Sequence, residues 1–186
     1  MAYVEVAMLS QAQSTTAAPR ALEELFERLY VQYHRPLFSY VLRLVGHWEQ
    51  AEDLTQETFV KAYHALARLP ADSNYRAWLY RIATNTCYDA LRRKRLIQWL
   101  PFFDDDAGPQ TDSPEHATAE ALAVRTALAQ LPADQRTCLV LYIYDSFSTE
   151  EIAQVMGCSR GAVKTRLFRA RERFRQVYVG IEERRP

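Results

Sequence analysis

S-T-E-E-I-A-Q-V-M-G-C-S-R-G-A-V-K-T-R-L-F-R-A-R-E-R-F, running from Ser148 to Phe174, decides how the rest of the chain is read. Ser148 and Glu151 have the spacing of a capping box, which starts a helix. Ile152 and Met156 share one face of that helix, and Gly157 supplies the left-handed residue that ends it. Ser159 caps a second helix. In it, Val163, Leu167, Ala170 and Phe174 recur at the spacing of one buried stripe. Two helices meeting at a tight turn, the second rich in arginine, outline a helix-turn-helix.

The second helix of such a motif enters the major groove of DNA. On a wheel of ~100° per residue, Gly161, Thr165, Phe168 and Arg169 lie opposite the buried stripe. Gly161 permits close backbone approach, Arg169 can reach guanine edges, and Thr165 and Phe168 can meet base edges or a thymine methyl. Lys164, Arg171 and Arg175 fall on one flank, Arg166 and Arg173 on the other, as the two phosphate walls of a groove require. A helix that is merely soluble mixes its signs; here Glu172 is the lone acid outside the core face.

The whole chain has 186 residues and a formal net charge of zero. The charge is segregated: arginine gathers after Tyr75 and after Ser159, and acids gather at Asp104 to Asp106. Few glycines and long helical periodicities predict an all-α protein. Cys87, Cys138 and Cys158 are scattered, so buried thiols in a reducing compartment are expected rather than disulfides. His34, His47, His64 and His116 sit in no ligand pattern, so no metal, cofactor or catalytic residue is expected. The start of the chain is short for a signal peptide and lacks a basic flank. No run approaches the ~20 apolar residues of a membrane helix, so the expected location is the cytoplasm, without membrane insertion.

Residues 1–19 are rich in Ala, Ser, Thr and Gln and are expected to be a loose tail. Helical periodicity begins at Arg20, with Leu22, Leu25, Phe26, Leu29, Leu37, Val41 and Leu44 as core positions. Pro36 either starts a second helix or kinks the first. A further helix spans about Glu49 to Leu69, burying Leu54, Thr58, Phe59, Ala62, Ala65, Leu66 and Leu69. Asp53, Gln56 and Glu57 make its start acidic, which also suits a helix dipole; Glu57 and Lys61 form an i,i+4 pair. A loop at Pro70 leads to a helix from about Tyr75 to Arg95 with Leu79, Ala83, Cys87, Ala90 and Leu91 inside. Trp78, Arg81, Asn85, Tyr88 and Arg92 fall away from that stripe, interleaving aromatics with cations as single-stranded nucleic acid requires, although Trp78 could equally pack as core. The run Arg92, Arg93, Lys94, Arg95 has no structural explanation. Residues 96–116 read as a flexible acidic linker with an apolar front, Trp99, Phe102 and Phe103. A relaxed coil of this length spans ~25 Å, and ~70 Å fully extended. Helices resume near Ala117. Two small helical domains, residues 20–95 and 117–180, thus flank the linker.

Three stretches in this order, A-E-D-L-T-Q-E-T-F-V-K-A-Y from Ala51, Y-R-A-W-L-Y-R-I-A-T-N from Tyr75, and L-P-A-D-Q-R from Leu131 leading into the opening motif, resemble the small extracytoplasmic-function (ECF) group of bacterial RNA polymerase sigma factors. The resemblance covers Leu22 to Tyr178. It implies a region 2 and a region 4 joined by a linker, and binding without covalent chemistry. The partners it implies are core RNA polymerase, through the largest subunit's clamp helices and the flap, promoter DNA, and an anti-sigma factor. It implies that Asp53, Leu54, Gln56, Glu57 and Phe59 bind the clamp helices. It assigns Lys61, Asn74, Tyr75, Arg81, Asn85, Arg92 and Arg93 to the −10 element, and Arg160, Lys164, Thr165, Arg166, Phe168 and Arg169 to the −35 element. The acidic linker would thread the RNA exit path. The tail before Arg20 has no counterpart.

A DNA-binding regulator acting without polymerase leaves the stretches at Ala51 and Tyr75 unexplained. A helical nuclease would need clustered carboxylates or a nucleophile–base set, which the sequence lacks. A helical adaptor would not need the outward arginines. The two promoter elements of the implied family lie about two helical turns apart, ~70 Å, so the relaxed linker cannot set that distance, and core enzyme must hold the readers apart.

Overall fold

The computed structural model describes residues 2–70, 72–98 and 119–183. Among these residues the chain is helical throughout, with α1 (Ala2–Val45), α2 (Trp48–Leu66), α3 (Tyr75–Gln98), α4 (Ala119–Ala129), α5 (Ala133–Ile143), α6 (Thr149–Met156) and α7 (Arg160–Glu182). No described helix is long and apolar enough to cross a membrane, and no cluster of described His, Cys, Asp or Glu could hold a metal.

α1 is assigned from Ala2, ahead of the periodicity that begins at Arg20. It is assigned continuously through Pro36, so Pro36 starts no second helix. Pro36 and Gln32, four residues earlier, are both exposed, so the carbonyl that loses its donor lies on the wet side of the helix, where water replaces the missing bond.

α1, α2 and α3 form the N-terminal module around Leu37, Tyr40, Val41, Leu54, Phe59, Leu79 and Ala83, all buried. Three of its buried polar side chains are threonines that bond back into their own helices: Thr55 to the Ala51 carbonyl at 2.6 Å, Thr58 to Leu54 at 2.7 Å, and Thr84 to Tyr80 at 2.7 Å. Buried hydroxyls are tolerated because each has a partner. α4 to α7 form the C-terminal module around Leu128, Leu131, Val140, Leu141, Ile152, Val155, Val163 and Leu167.

The modules do not stand apart. α1 packs on α4 and α5, and α3 packs on α6, so one continuous hydrophobic cluster runs through both. Arg136 fastens the junction of three helix ends. Its guanidinium donates to the Leu44 carbonyl at the end of α1, to the Ala129 carbonyl at 2.7 Å and to the Leu131 carbonyl at 3.1 Å. A cation is favourable at these electronegative helix ends. The linker expected between the modules lies outside the described residues, except that α3 reaches Gln98.

Candidate nucleic-acid interface

The caps expected for the helix-turn-helix are all present. The Ser148 hydroxyl accepts from the Glu151 amide at 3.2 Å, and the Glu151 carboxylate accepts from the Ser148 amide at 2.8 Å. Gly157 closes α6 in the left-handed region, at φ 61°. Ser159 then accepts from the Ala162 amide at 3.2 Å and starts α7. With both ends fixed, Val163, Leu167 and Ala170 are buried and Phe174 is half-buried.

The opposite face of α7 is therefore outside. Gly161, Lys164, Thr165, Phe168 and Arg169 are exposed, and Phe168 is 72% exposed. One exposed phenylalanine is ordinary by itself; set between Thr165 and Arg169, it completes a surface of a donor-rich fork, an apolar ring and a methyl-bearing side chain. The Thr165 hydroxyl bonds back to the Gly161 carbonyl at 3.1 Å.

Two cations assigned to this face by sequence have other duties. Arg166 is half-buried: its Nε lies 3.0 Å from the Asp134 carboxylate, and 31% of its side chain is exposed. It ties α7 to α5. Arg160 is exposed but pairs with Glu150 at 2.6 Å and donates to the Thr149 hydroxyl at 3.3 Å, bracing α6. Among the flank residues, Arg171 lies 4.9 Å over the Tyr142 ring and Arg175 pairs with Glu172 at 2.9 Å.

On α3, Arg81, Asn85, Arg92 and Arg93 are exposed. Arg92 lies 3.5 Å from Asp89, a surface pair of little energetic weight. Asn74 has a structural task that the sequence reading did not assign: its side-chain oxygen accepts from the Ala77 amide at 3.0 Å and caps α3. Tyr75 is half-buried against the core. Lys61 braces α2 against α3, 2.8 Å from Glu57 and donating to the Thr86 hydroxyl at 3.0 Å. Trp78 is half-buried and packs against the core. Tyr88 is not an open stacking platform either; its hydroxyl donates to Thr137 at 3.0 Å, and burial first of all pushes its pKa up to about 12.

On α2 the five sequence candidates separate. Asp53 and Gln56 are exposed and Glu57 is half-buried, whereas Leu54 and Phe59 are 5% and 4% exposed. Leu54 and Phe59 are packed in the core and seat the helix. Val60, 57% exposed, and Tyr63 continue the outer face at helical spacing from Asp53 and Gln56. Sequence reasoning missed them; two apolar residues in line with surface polar ones were the available signal. It also missed Arg76, Tyr80, Arg136 and Asp145, whose contacts join the modules.

Residues 29–97 match the family described as Sigma-70 region 2, and residues 121–174 the family described as Sigma-70, region 4. The chain is similar to the RNA polymerase sigma-H factor of Pseudomonas aeruginosa, 36% identical over 180 residues that cover 89% of this chain and 93% of that protein. It is 37% identical over 150 residues to the RNA polymerase sigma factor YlaC of Bacillus subtilis, covering 78% of this chain and 87% of that one. The ECF RNA polymerase sigma-E factor of Salmonella typhimurium is 36% identical over 163 residues, covering 81% and 84%. Among solved structures, the fold resembles the sigma factor RpoE in complex with the anti-sigma factor NepR from Bartonella quintana, with a TM-score of 0.69, 29% identity, and coverage of 82% of this chain and 95% of that chain. CnrH in complex with the cytosolic domain of CnrY gives a TM-score of 0.65 at 27% identity, covering 85% and 90%. The chain belongs to the ECF RNA polymerase sigma factors of the sigma-70 family, which bind core RNA polymerase and direct promoter-specific initiation of transcription.

Proposed function

We propose that α7 reads the −35 element in the major groove, that α3 reads the −10 element, and that the outer face of α2 docks on the largest subunit of core polymerase. The observation that carries this reading is the sidedness of α7: Val163, Leu167 and Ala170 are buried while Gly161, Thr165, Phe168 and Arg169 are exposed. Arg169, Phe168 and Thr165 are the base-reading side chains, and Lys164 and Arg173 contact phosphates. On α3, Arg81, Asn85, Arg92 and Arg93 contact the −10 strand. Opening the duplex there costs a few kcal/mol, which contacts to an extruded base offset. On α2, Asp53 and Gln56 make the polar contacts, with Glu57 at their edge.

No residue is assigned a catalytic role; the protein works by binding, in the cytoplasm beside core enzyme. A similar structure holds an anti-sigma factor, and we extend a partner of that class to this chain. In vitro transcription with core enzyme on a randomised promoter library tests the reading. Enrichment of two short motifs is expected, with Arg169→Ala relaxing one base of the upstream motif. Transcription starts that ignore the added protein would overturn it.

A further inference from the structure

α6 opens with two acids, and its cap uses only one of them. Glu151 completes the capping box with Ser148. Glu150 is exposed and reaches across the turn to the first residue of α7, where its carboxylate lies 2.6 Å from the Arg160 guanidinium. Thr149 closes the group: its hydroxyl donates to the Glu150 carboxylate at 3.0 Å and accepts from Arg160 Nε at 3.3 Å. The Thr149 hydroxyl and the residue's own amide hold the Glu150 carboxyl below the usual carboxylate range, and Arg160 and Lys164 act in the same direction. Glu150 is therefore ionised at neutral pH, and Lys164, one turn along α7 from Arg160, lies in its field.

In a helix-turn-helix the first helix crosses the DNA backbone, while the N-terminal residues of the second enter the groove. Glu150 and Arg160 stand where the starts of those two helices meet. A carboxylate at that point has the wrong sign for a phosphate. Its place in the first turn suits the helix dipole, but the dipole does not require it to take hold of a cation on the neighbouring helix.

We propose that Glu150 is a counter-charge that withholds Arg160 from the DNA backbone, so that the grip of the module on DNA comes chiefly from the base-reading face of α7. The proposal rests on α7 being the −35 reader. The two competing attractions are of similar size. An exposed ion pair favours its closed form by up to about fivefold. One phosphate contact, with a slope of about 0.9 in the logarithm of salt concentration, tightens binding about fivefold at ~0.15 M salt. Arg160 is thus shared between Glu150 and a phosphate instead of being committed to the phosphate. Phosphate contacts carry no sequence information, so Glu150 shortens residence on every sequence alike and leaves the preferred bases unchanged.

The test uses holoenzyme assembled from core and the full chain. It is titrated at several salt concentrations on promoter fragments with a matched or a scrambled upstream element. Glu150→Gln keeps the length of the side chain and removes its charge. It should tighten binding to both fragments by the same factor, about twofold to fivefold at ~0.15 M salt, and steepen the salt slope by up to one phosphate. In an Arg160→Ala background the same substitution should lose most of this effect, because the cation it releases is gone. The two side chains are 52% and 58% exposed, so neither substitution opens the core. Weaker binding by Glu150→Gln would mean that the pair presents Arg160 to a phosphate, and would overturn the proposal. So would a gain that persists in full without Arg160. A lower melting temperature with an unchanged salt slope, the signature of a purely structural pair, would overturn it as well. Failure of the promoter-reading assignment looks different: wild-type holoenzyme would then bind the matched and scrambled fragments alike.

Discussion

Arg169 and Arg166 are three residues apart, and a sequence reading places both on the DNA side of the last helix. Only Arg169 is exposed; Arg166 is drawn back by Asp134, which is 32 positions away and outside the reach of any local pattern. Their variants should differ in kind. Arg169→Ala should weaken promoter binding by about 1–3 kcal/mol and relax preference at one −35 base, whereas Arg173→Ala should weaken all sequences alike and lower the salt slope by about one phosphate. Binding titrations at several salt concentrations on matched and mismatched sites separate the two. Arg166→Ala should instead lower stability by roughly 0.5–1 kcal/mol, because its ion pair is partly exposed, and leave the salt slope unchanged; thermal melting beside the same titrations checks this. The cysteines were legible as unpaired, and two are fully buried. Burial pushes the thiols of Cys87 and Cys138 up to about 12, so at pH 8 both stay protonated and unreactive. A thiol-reactive chromophore should titrate the half-buried Cys158 in the native protein and all three cysteines in denaturant; three fast equivalents in native buffer would contradict this packing.

At the scale of elements, α6 and α7 were readable because their signals are local. Ser148, Glu151, Gly157 and Ser159 act within four residues of their own helix ends, and the stripe from Val163 repeats at one period. Gly157→Ala should cost about 1 kcal/mol: the added methyl meets nothing within 4 Å, so only the left-handed backbone is penalised. Urea titration should show that loss with an unchanged slope. α1 was read less well. Pro36 suggested either a second helix or a kink; the helix continues through it because the unsatisfied carbonyl is on the water side. On α2 the apolar pattern correctly buried Leu54 and Phe59, whereas a family motif records positions without saying which way they point. Asn74, which the resemblance assigned to the −10 element, also caps α3 from its place one residue before it.

For the whole molecule, the packing of the two modules on each other was not legible at all. Arg76, Tyr80 and Asp145 are polar or amphipathic and read as solvated surface in their own helices and loop; what buries them is a partner surface 65 residues or more along the chain. The consequence lies in the make-up of that seam. Beside its hydroxyl, carboxylate and guanidinium contacts, the seam shares one hydrophobic cluster with both modules, and Tyr80 and Phe147 are each 2% exposed. Parting the halves therefore uncovers oily area, and heat capacity follows oily area. Calorimetry should accordingly find the halves melting together in a single transition, with no flat, low-heat-capacity step ahead of it.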